Sequence, residues 1–563
     1  MTRQNRFGIL AGIGLVTVLV AASQFFSKIS PGTVTGTIPD SLETLIGVYN
    51  PNYQPDRQPV KDLYHLEIVL DRSTDPVNLQ DRYFKIQADL PYLITLKISD
   101  SFGRNSLNDL RDGSFDEAIQ ALCAEISAIS QPVYLRLCPE MEVPVHRFNW
   151  QYQSPVTYIQ AFQRVSRLCK ARLPAVQMVW APAGYPGADE YWPGDSAVDL
   201  ISITVDSPSE QLTTAYPRIA DPYTAIRRKL HRLRFMPKTV LILGDQSVKK
   251  SIDAGQLTKT LARLQQEETA LFPTLGSPRA AVSAKVRTAR PEIGVYDPKE
   301  LLVKNQALRA EHLFFDLESI QTGTFRKALN ATLARRHDVI LTIEPWRDTK
   351  PRRDTCVLCN VTNGVYDEEF REVYRAISRT RQTVYLRFAH EMEIPIRRYA
   401  WQSQDPILYI RAYRYFMTFD SAGSRNIKKV WGPAGDRGSM EWWPGADVVD
   451  YISVAIYGLP DKNITDPRQQ ETFRDIFNRK FYRMRFSSKP LFITEFGVKG
   501  PEDFQRKWLN DAADVIRNQP DVVGVCYFNL ADNPKVWGNM PAPDWSISPA
   551  TFNHFVSQLN PNL

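Results

Sequence analysis

The chain has 563 residues, 43% hydrophobic and 23% charged, which is globular rather than disordered composition. Its 69 basic and 62 acidic side chains leave a net charge of +7 with no Lys/Arg block, which excludes a nucleic-acid-binding arm. Only one long apolar run occurs, which excludes a polytopic membrane protein, and the length allows roughly two to four domains.

That run spans residues 7–26 (FGILAGIGLVTVLVAASQFF) and follows Arg3 and Arg6. A spanning helix needs about 20 apolar residues and keeps its basic flank in the cytoplasm, so residues 1–29 read as a transmembrane anchor. The rival is a cleaved signal peptide, with Ala21-Ala22-Ser23 as the cleavage site. Either way the bulk of the chain lies outside the cytoplasm, periplasmic or extracellular. Residues 30–40, with Pro, Gly, Ser and Thr, read as a tether.

The rest of the chain contains itself twice. QPVYLRLCPEMEVPVHRFNWQ (131–151) and QTVYLRFAHEMEIPIRRYAWQ (382–402) share 12 of 21 positions at an offset of 251. The same offset carries Trp180 onto Trp431 and Trp192-Pro193-Gly194 onto Trp443-Pro444-Gly445. Upstream, Ile46-Gly47-Val48-Tyr49 matches Ile293-Gly294-Val295-Tyr296, and a His follows in both copies (His65, His312). The reading is a first domain at 41–271, a linker at 272–291 and a second domain at 292–563.

In the second copy the strand candidates are IGVY, HLFFDL, VILTIEP, TVYLRFA, VWGPA, YISVAIY, LFITEF and GVCYFN. Amphipathic stretches such as 367–379 and 406–419 lie between them, which argues for βα units on a parallel sheet. Eight such strands predict a (β/α)8 barrel, so the fold class is α/β with two tandem (β/α)8 TIM barrels behind the anchor. Barrel chemistry sits at the C-terminal ends of the strands. There stand Glu344-Pro345-Trp346, Arg387, His390-Glu391, Trp431, Tyr457 and Glu495. Carboxylates ending strands four and seven face each other across the mouth, the arrangement a retaining glycosidase needs.

At these residues the second copy resembles glycoside hydrolase family 26, the β-mannanases and related β-glycanases. The motifs are TIEPW (342–346), GVYD (364–367), LRFAHEM (386–392), VWGPAG (430–435), WWPG (442–445) and ITEFG (493–497), in the family's order. The resemblance implies retaining hydrolysis of a β-linked polysaccharide, with no cofactor and no metal. It places Glu391 as acid/base and Glu495 as nucleophile, His390 and Trp346 at the sugar site, Tyr457 near the nucleophile and Trp443 as a wall of the cleft. Arg387 is read as supporting the nucleophile electrostatically, and Trp431 and Trp443 read equally as substrate-binding or as packing residues. One departure is Glu393 with Arg397 and Arg398 beside the acid/base, available to pair with each other or with acidic sugars.

The first copy keeps Glu140 opposite Glu391 but has Pro139 for His390, Asp245 for Glu495, Lys97-Ile98-Ser99 for Glu344-Pro345-Trp346 and Asp206 for Tyr457. It is expected to be inactive. Two other readings stand beside hydrolysis. One is a non-catalytic carbohydrate-binding or scaffold protein that partners a polysaccharide synthesis or export machinery. The other is transglycosylation by the same carboxylates. Of six cysteines, Cys356 and Cys359 are spaced for a small disulfide or remain free thiols; no second CxxC or His pair lies near enough to complete a zinc site.

Overall fold

A computed structural model describes residues 33–37, 44–51, 63–71, 90–99, 103, 105–213, 219–272, 290–347, 356–395, 398–420, 424–458, 471–534 and 541–560. The apolar run at 7–26 and most of the expected linker lie outside them. Among the described residues no helix is long and apolar enough to cross a membrane.

The first copy contributes β1 (Thr33–Thr37), β2 (Thr44–Tyr49), β3 (Tyr64–Asp71), β4 (Tyr92–Ile98), β5 (Val133–Leu137), β6 (Gln177–Trp180), β7 (Leu200–Thr204) and β8 (Val240–Gly244). Strands β3 to β8 pair in parallel and in chain order. The two ends differ from a (β/α)8 barrel. Strand β2 lies antiparallel on β8, and β1 lies antiparallel on β3. The expected complete first barrel is therefore corrected to six parallel strands flanked by two reversed ones. Part of the segment read as a tether is strand β1.

Ile46-Gly47-Val48-Tyr49 lies antiparallel on the edge of β8, whereas Ile293-Gly294-Val295-Tyr296 lies parallel to β17, VVGVCYF, in the second copy. An uncovered edge carries a row of unpaired backbone groups, so some strand must take it.

The second copy closes. Its strands are β9 (Glu292–Tyr296), β10 (Ala310–Asp316), β11 (Asp338–Glu344), β12 (Val384–Phe388), β13 (Ile427–Trp431), β14 (Tyr451–Ile452), β15 (Ala455–Gly458), β16 (Leu491–Val498) and β17 (Val522–Phe528). All pairings are parallel; β9 meets both β10 and β17, and β14 meets both β13 and β16. The short β14 and β15 are two pieces of the sixth barrel strand, both resting on β16. Parallel strands are buried on both faces, which is why β12 and β16 read as continuous apolar runs with every residue buried. Helices pack outside. Asp405 caps the helix Pro406–Met417 by accepting from the Ile407 N–H at 2.8 Å, with Pro406 preset for the first turn. Of the two states open to Cys356 and Cys359, the structure holds the disulfide.

Candidate active site

Glu391 follows β12 in a tight turn that holds both Ala389 (φ 46°) and Glu391 (φ 52°) in the left-handed region. That conformation costs a non-glycine residue about 1–3 kcal/mol and needs outside support. The support is specific. The Glu391 N–H donates to Gly432 O at 2.8 Å, Trp401 Nε1 donates to His390 O at 2.7 Å, and Gln402 Nε2 donates to Glu391 O at 3.1 Å. The carboxyl of Glu391 is half-buried. Burial, and next the charge of Glu495, push it up to about 8, while Arg387 and Arg398 pull the other way. A carboxyl so placed holds its proton at neutral pH and can donate it.

Glu495 lies on β16, 5% exposed. Arg387 on β12, fully buried, donates through Nη1 to its Oε1, and Tyr457 Oη on β15 donates to its Oε2 at 3.1 Å. Both carboxylate oxygens thus accept from a buried donor, one of them a guanidinium. Arg387 reaches this position because residue 432 is glycine: a Cβ there would stand 2.1 Å from Arg387 Nε. The result is two carboxyl groups in unlike surroundings, Glu495 held by Arg387 and Tyr457 and Glu391 raised by burial and by the charge of Glu495.

Around this pair the sequence-derived residues divide. His390 is 2% exposed, and burial, then the charge of Arg387, hold its pKa well below the usual value, so the ring is neutral. Its Nδ1 lies 4.0 Å from Glu344 Oε1. Trp346 donates from Nε1 to Glu344 at 3.1 Å and meets Tyr399 and Trp401 edge-on at 5.3 and 5.5 Å. Trp431 does not join the group. It is fully buried and packs edge-on against Trp443 at 5.1 Å, and the first copy holds Trp180 against Trp192 at the same 5.1 Å. A side chain with no exposed surface cannot stack on a sugar, so Trp431 is a packing element of the scaffold, while Trp443 is 5% exposed, as Trp346 is.

Glu393 is also corrected. It is 4% exposed and its Oε1 accepts from Gly435 N (2.9 Å), Asp436 N (3.2 Å) and Ser439 Oγ (2.7 Å). It ties the turn after β12 to the loop after β13, and among the described residues it pairs with no arginine. Glu142 does the same in the first copy, accepting from Tyr185 N at 2.9 Å. Arg398 lies over the Tyr399 ring and 3.5 Å from Asp532, and Arg397 lies outside the described residues. Residues the motifs gave no role are Gly432, Tyr399, Trp401 and Gln402, and Glu344 stood at a strand end without a partner assigned. Gly432 had a signal, as VWGPAG differs from VWAPAG at that position. Among the described residues no cluster of three or more His, Cys, Asp and Glu is arranged to hold a metal ion.

The first copy builds the same turn with different partners around it. Glu140 (φ 61°) donates its N–H to Ala181 O at 2.8 Å, and Trp150 donates to Pro139 O at 2.9 Å. Asp245, however, caps the helix Gln246–Ser251, accepting from Ser247 Oγ and Val248 N at 2.6 and 2.8 Å, and is exposed. Arg136 donates to Thr95 Oγ1 at 2.8 Å. Lys97, at the Glu344 position, pairs with Glu67 at 2.6 Å. Glu140 accepts a hydrogen bond from Ser207 at 2.6 Å.

No family model matches the chain. Among curated proteins it is similar to the β-1,3-xylanase TXYA of a Vibrio species, 28% identical over 164 residues, 28% of this chain and 31% of that protein. It is also similar to a β-1,3-xylanase of an Alcaligenes species, 25% identical over 161 residues, 27% of this chain and 31% of that protein. The chain thus spans about a third of the length of the curated relatives it matches. Among solved structures it is similar to GH26C from a Muricauda species (12% identity, 52% of this chain and 90% of that one, TM-score 0.37). It is also similar to the catalytic domain of a Bacillus GH26 endo-β-1,4-mannanase (13% identity, 49% and 88%, TM-score 0.35).

Proposed function

We propose that the second copy is a retaining glycoside hydrolase acting on a β-linked polysaccharide, with Glu495 as nucleophile and Glu391 as acid/base. One observation carries the reading: a carboxylate bonded on both oxygens by Arg387 and Tyr457 stands beside a carboxyl held protonated by burial and by its neighbour's charge. Glu495 attacks the anomeric carbon while Glu391 gives its proton to the departing glycosidic oxygen, leaving a glycosyl–Glu495 ester. Glu391, now ionised, takes a proton from water, whose oxygen displaces Glu495 and returns the sugar with its original configuration. Glu344, His390 and Trp346 border the pair and serve sugar hydroxyls.

The substrate we infer is a neutral β-glycan cut internally. The motif resemblance favours β-1,4-mannan, and the names of the curated relatives favour β-1,3-xylan. In the same proposal residues 7–26 anchor or export the chain, so that the cleft works outside the cytoplasm. The test is a panel of β-1,4-mannan, β-1,3-xylan and β-1,3-glucan, with product anomers followed by proton NMR. Glu495→Ala is the control. Equal product from wild type and Glu495→Ala sinks the reading. Glycan binding without any product over days favours the scaffold reading, and longer oligosaccharides favour transglycosylation.

A further inference from the structure

The two copies meet through one surface used twice. Glu190 of the first copy accepts from Arg483 Nε of the second at 3.1 Å, and Glu441 of the second accepts from Arg232 Nε of the first at 2.8 Å. Tyr482 Oη donates to Glu190 O at 2.7 Å, and His231 Nε2 stands 2.9 Å from Glu441 O. Arg485 donates to Asp189 O, and Arg234 donates to Met440 O at 3.0 Å. Each pair maps onto its mate at the offset of 251. Phe235 and Phe486, also mates, stack on each other at 5.4 Å. This is the reciprocal pattern of a two-fold dimer interface, built here within one chain. The loops touch so closely that a Cβ on Gly438 would stand 2.9 Å from Pro186 Cβ.

From this contact a buried bridge runs to the acid/base. Arg483, held by Glu190, also donates to Gly435 O at 3.0 Å. The Gly435 N–H donates to Glu393 at 2.9 Å, and Glu393 follows Glu391 by two residues in the strained turn. Glu190, Arg483 and Glu393 are 6%, 8% and 4% exposed, so water competes little for any link. We propose that Glu190, in the first copy, is a positioning residue for Glu391. The first copy thereby serves as a fixed half that holds the acid/base turn of the second. The catalytic part of this inference rests on the glycosidase reading. The mirror bridge through Glu441, Arg232, Gly184 and the Glu142 loop ends at Glu140, in the copy whose Asp245 caps a helix.

The mirror supplies the control. In the full chain, Glu190→Ala is expected to lower kcat about 10- to 100-fold with KM within twofold, since a misplaced catalytic group loses rate steeply. It should move the alkaline limb of activity to lower pH, because a loosened turn lets water reach Glu391. It should also speed amide hydrogen exchange at residues 389–395. Arg232→Ala breaks the mirror bridge at the same interface and is expected to leave kcat, the limb and that exchange unchanged. Wild-type values in Glu190→Ala overturn the proposal, and so does an equal loss of kcat in Arg232→Ala, which would make general interface integrity the cause. If Glu190→Ala does not fold, Glu190→Gln is read the same way, with at least a threefold fall expected and no change overturning. If wild type cleaves no glycan, the glycosidase reading fails separately, and the exchange at 389–395 still decides the bridge.

We also infer a second disulfide, from a different observation. Cys123 and Cys169 are buried thiols on the helices Asp116–Ile126 and Pro155–Arg172, with sulfurs 2.7 Å apart. That separation is shorter than two unbonded sulfurs keep. During folding outside the cytoplasm, a small-molecule disulfide would take up their two electrons and two protons and become two thiols. The two S–H bonds and the small molecule's S–S bond break, and one S–S bond forms between Cys123 and Cys169. Protein folded with oxidised glutathione, denatured and alkylated without reductant, should carry two adducts, on Cys138 and Cys526. Four adducts overturn this.

Discussion

Replacing Gly432 by alanine tests the site where it is tightest. The new Cβ would lie 2.1 Å from Arg387 Nε and 3.0 Å from its Cδ and Cζ, and Arg387 has no exposed surface through which to escape. The guanidinium must turn inside the barrel. The first copy shows where: with Ala181 at this position, Arg136 donates to Thr95 at 2.8 Å and lies 3.4 Å from His65, and Thr342 and His312 occupy those places in the second copy. The bond to Glu495 is then lost. A hydrogen bond to a charged group contributes about 1.5–3 kcal/mol. At 1.36 kcal/mol per decade of rate, kcat/KM on the cleaved glycan should fall about 10- to 150-fold. The pH profile adds a sign. The charge of Arg387 lowers the Glu391 pKa, so its withdrawal should raise that value and carry the alkaline limb to higher pH, opposite to the shift expected of Glu190→Ala. Ala181→Gly should change neither quantity. A Gly432→Ala enzyme within twofold of wild type, with an unmoved limb, would refute the role given to Arg387.

Wild-type activity should fall as pH rises through about 8, where Glu391 gives up the proton it must donate, and Glu391→Gln should flatten that limb while costing about 10²- to 10⁴-fold in rate. Tyr457→Phe removes the 3.1 Å bond to Glu495 and should lower kcat by about tenfold with the fold intact by circular dichroism. Glu441→Ala leaves Arg228 and Arg232 facing no carboxylate and should cost about 3–5 kcal/mol in urea denaturation at neutral pH. Burial pushes Glu441 up, but the two guanidinium groups outweigh it and hold its folded pKa below the usual value. Its contribution is therefore full above the unfolded pKa, and the gap between variant and wild type should close as pH falls through the folded one.

The strands of the second copy were legible because parallel strands are buried on both faces and read as apolar runs. All eight candidates appear as β9 to β17, the sixth in two pieces. The facing carboxylates were legible from strand ends. Burial and partner choice were not. Glu393 with Arg397 and Arg398 looked like a charge cluster, yet its carboxylate turns inward to backbone N–H groups of a loop 42 residues later. Trp431 looked like a sugar platform, yet strand alternation and the edge contact with Trp443 seal it in the core.

Amino-acid order alone contained the repeat, the strand and helix alternation, and the motif positions of Glu391, Glu495 and Arg387, because each is written in local runs or fixed offsets. Tertiary structure decided the rest. Ile46-Gly47-Val48-Tyr49 and Ile293-Gly294-Val295-Tyr296 are one tetrapeptide in two orientations, antiparallel on β8 in the first copy and parallel to β17 in the second, since pairing direction is set by the neighbouring strand and not by the tetrapeptide. The protonation of Glu391 depends on burial and on a charge 104 positions away in the chain. The reciprocal contact between the copies depends on side chains more than 200 residues apart, brought together only when both sheets have formed.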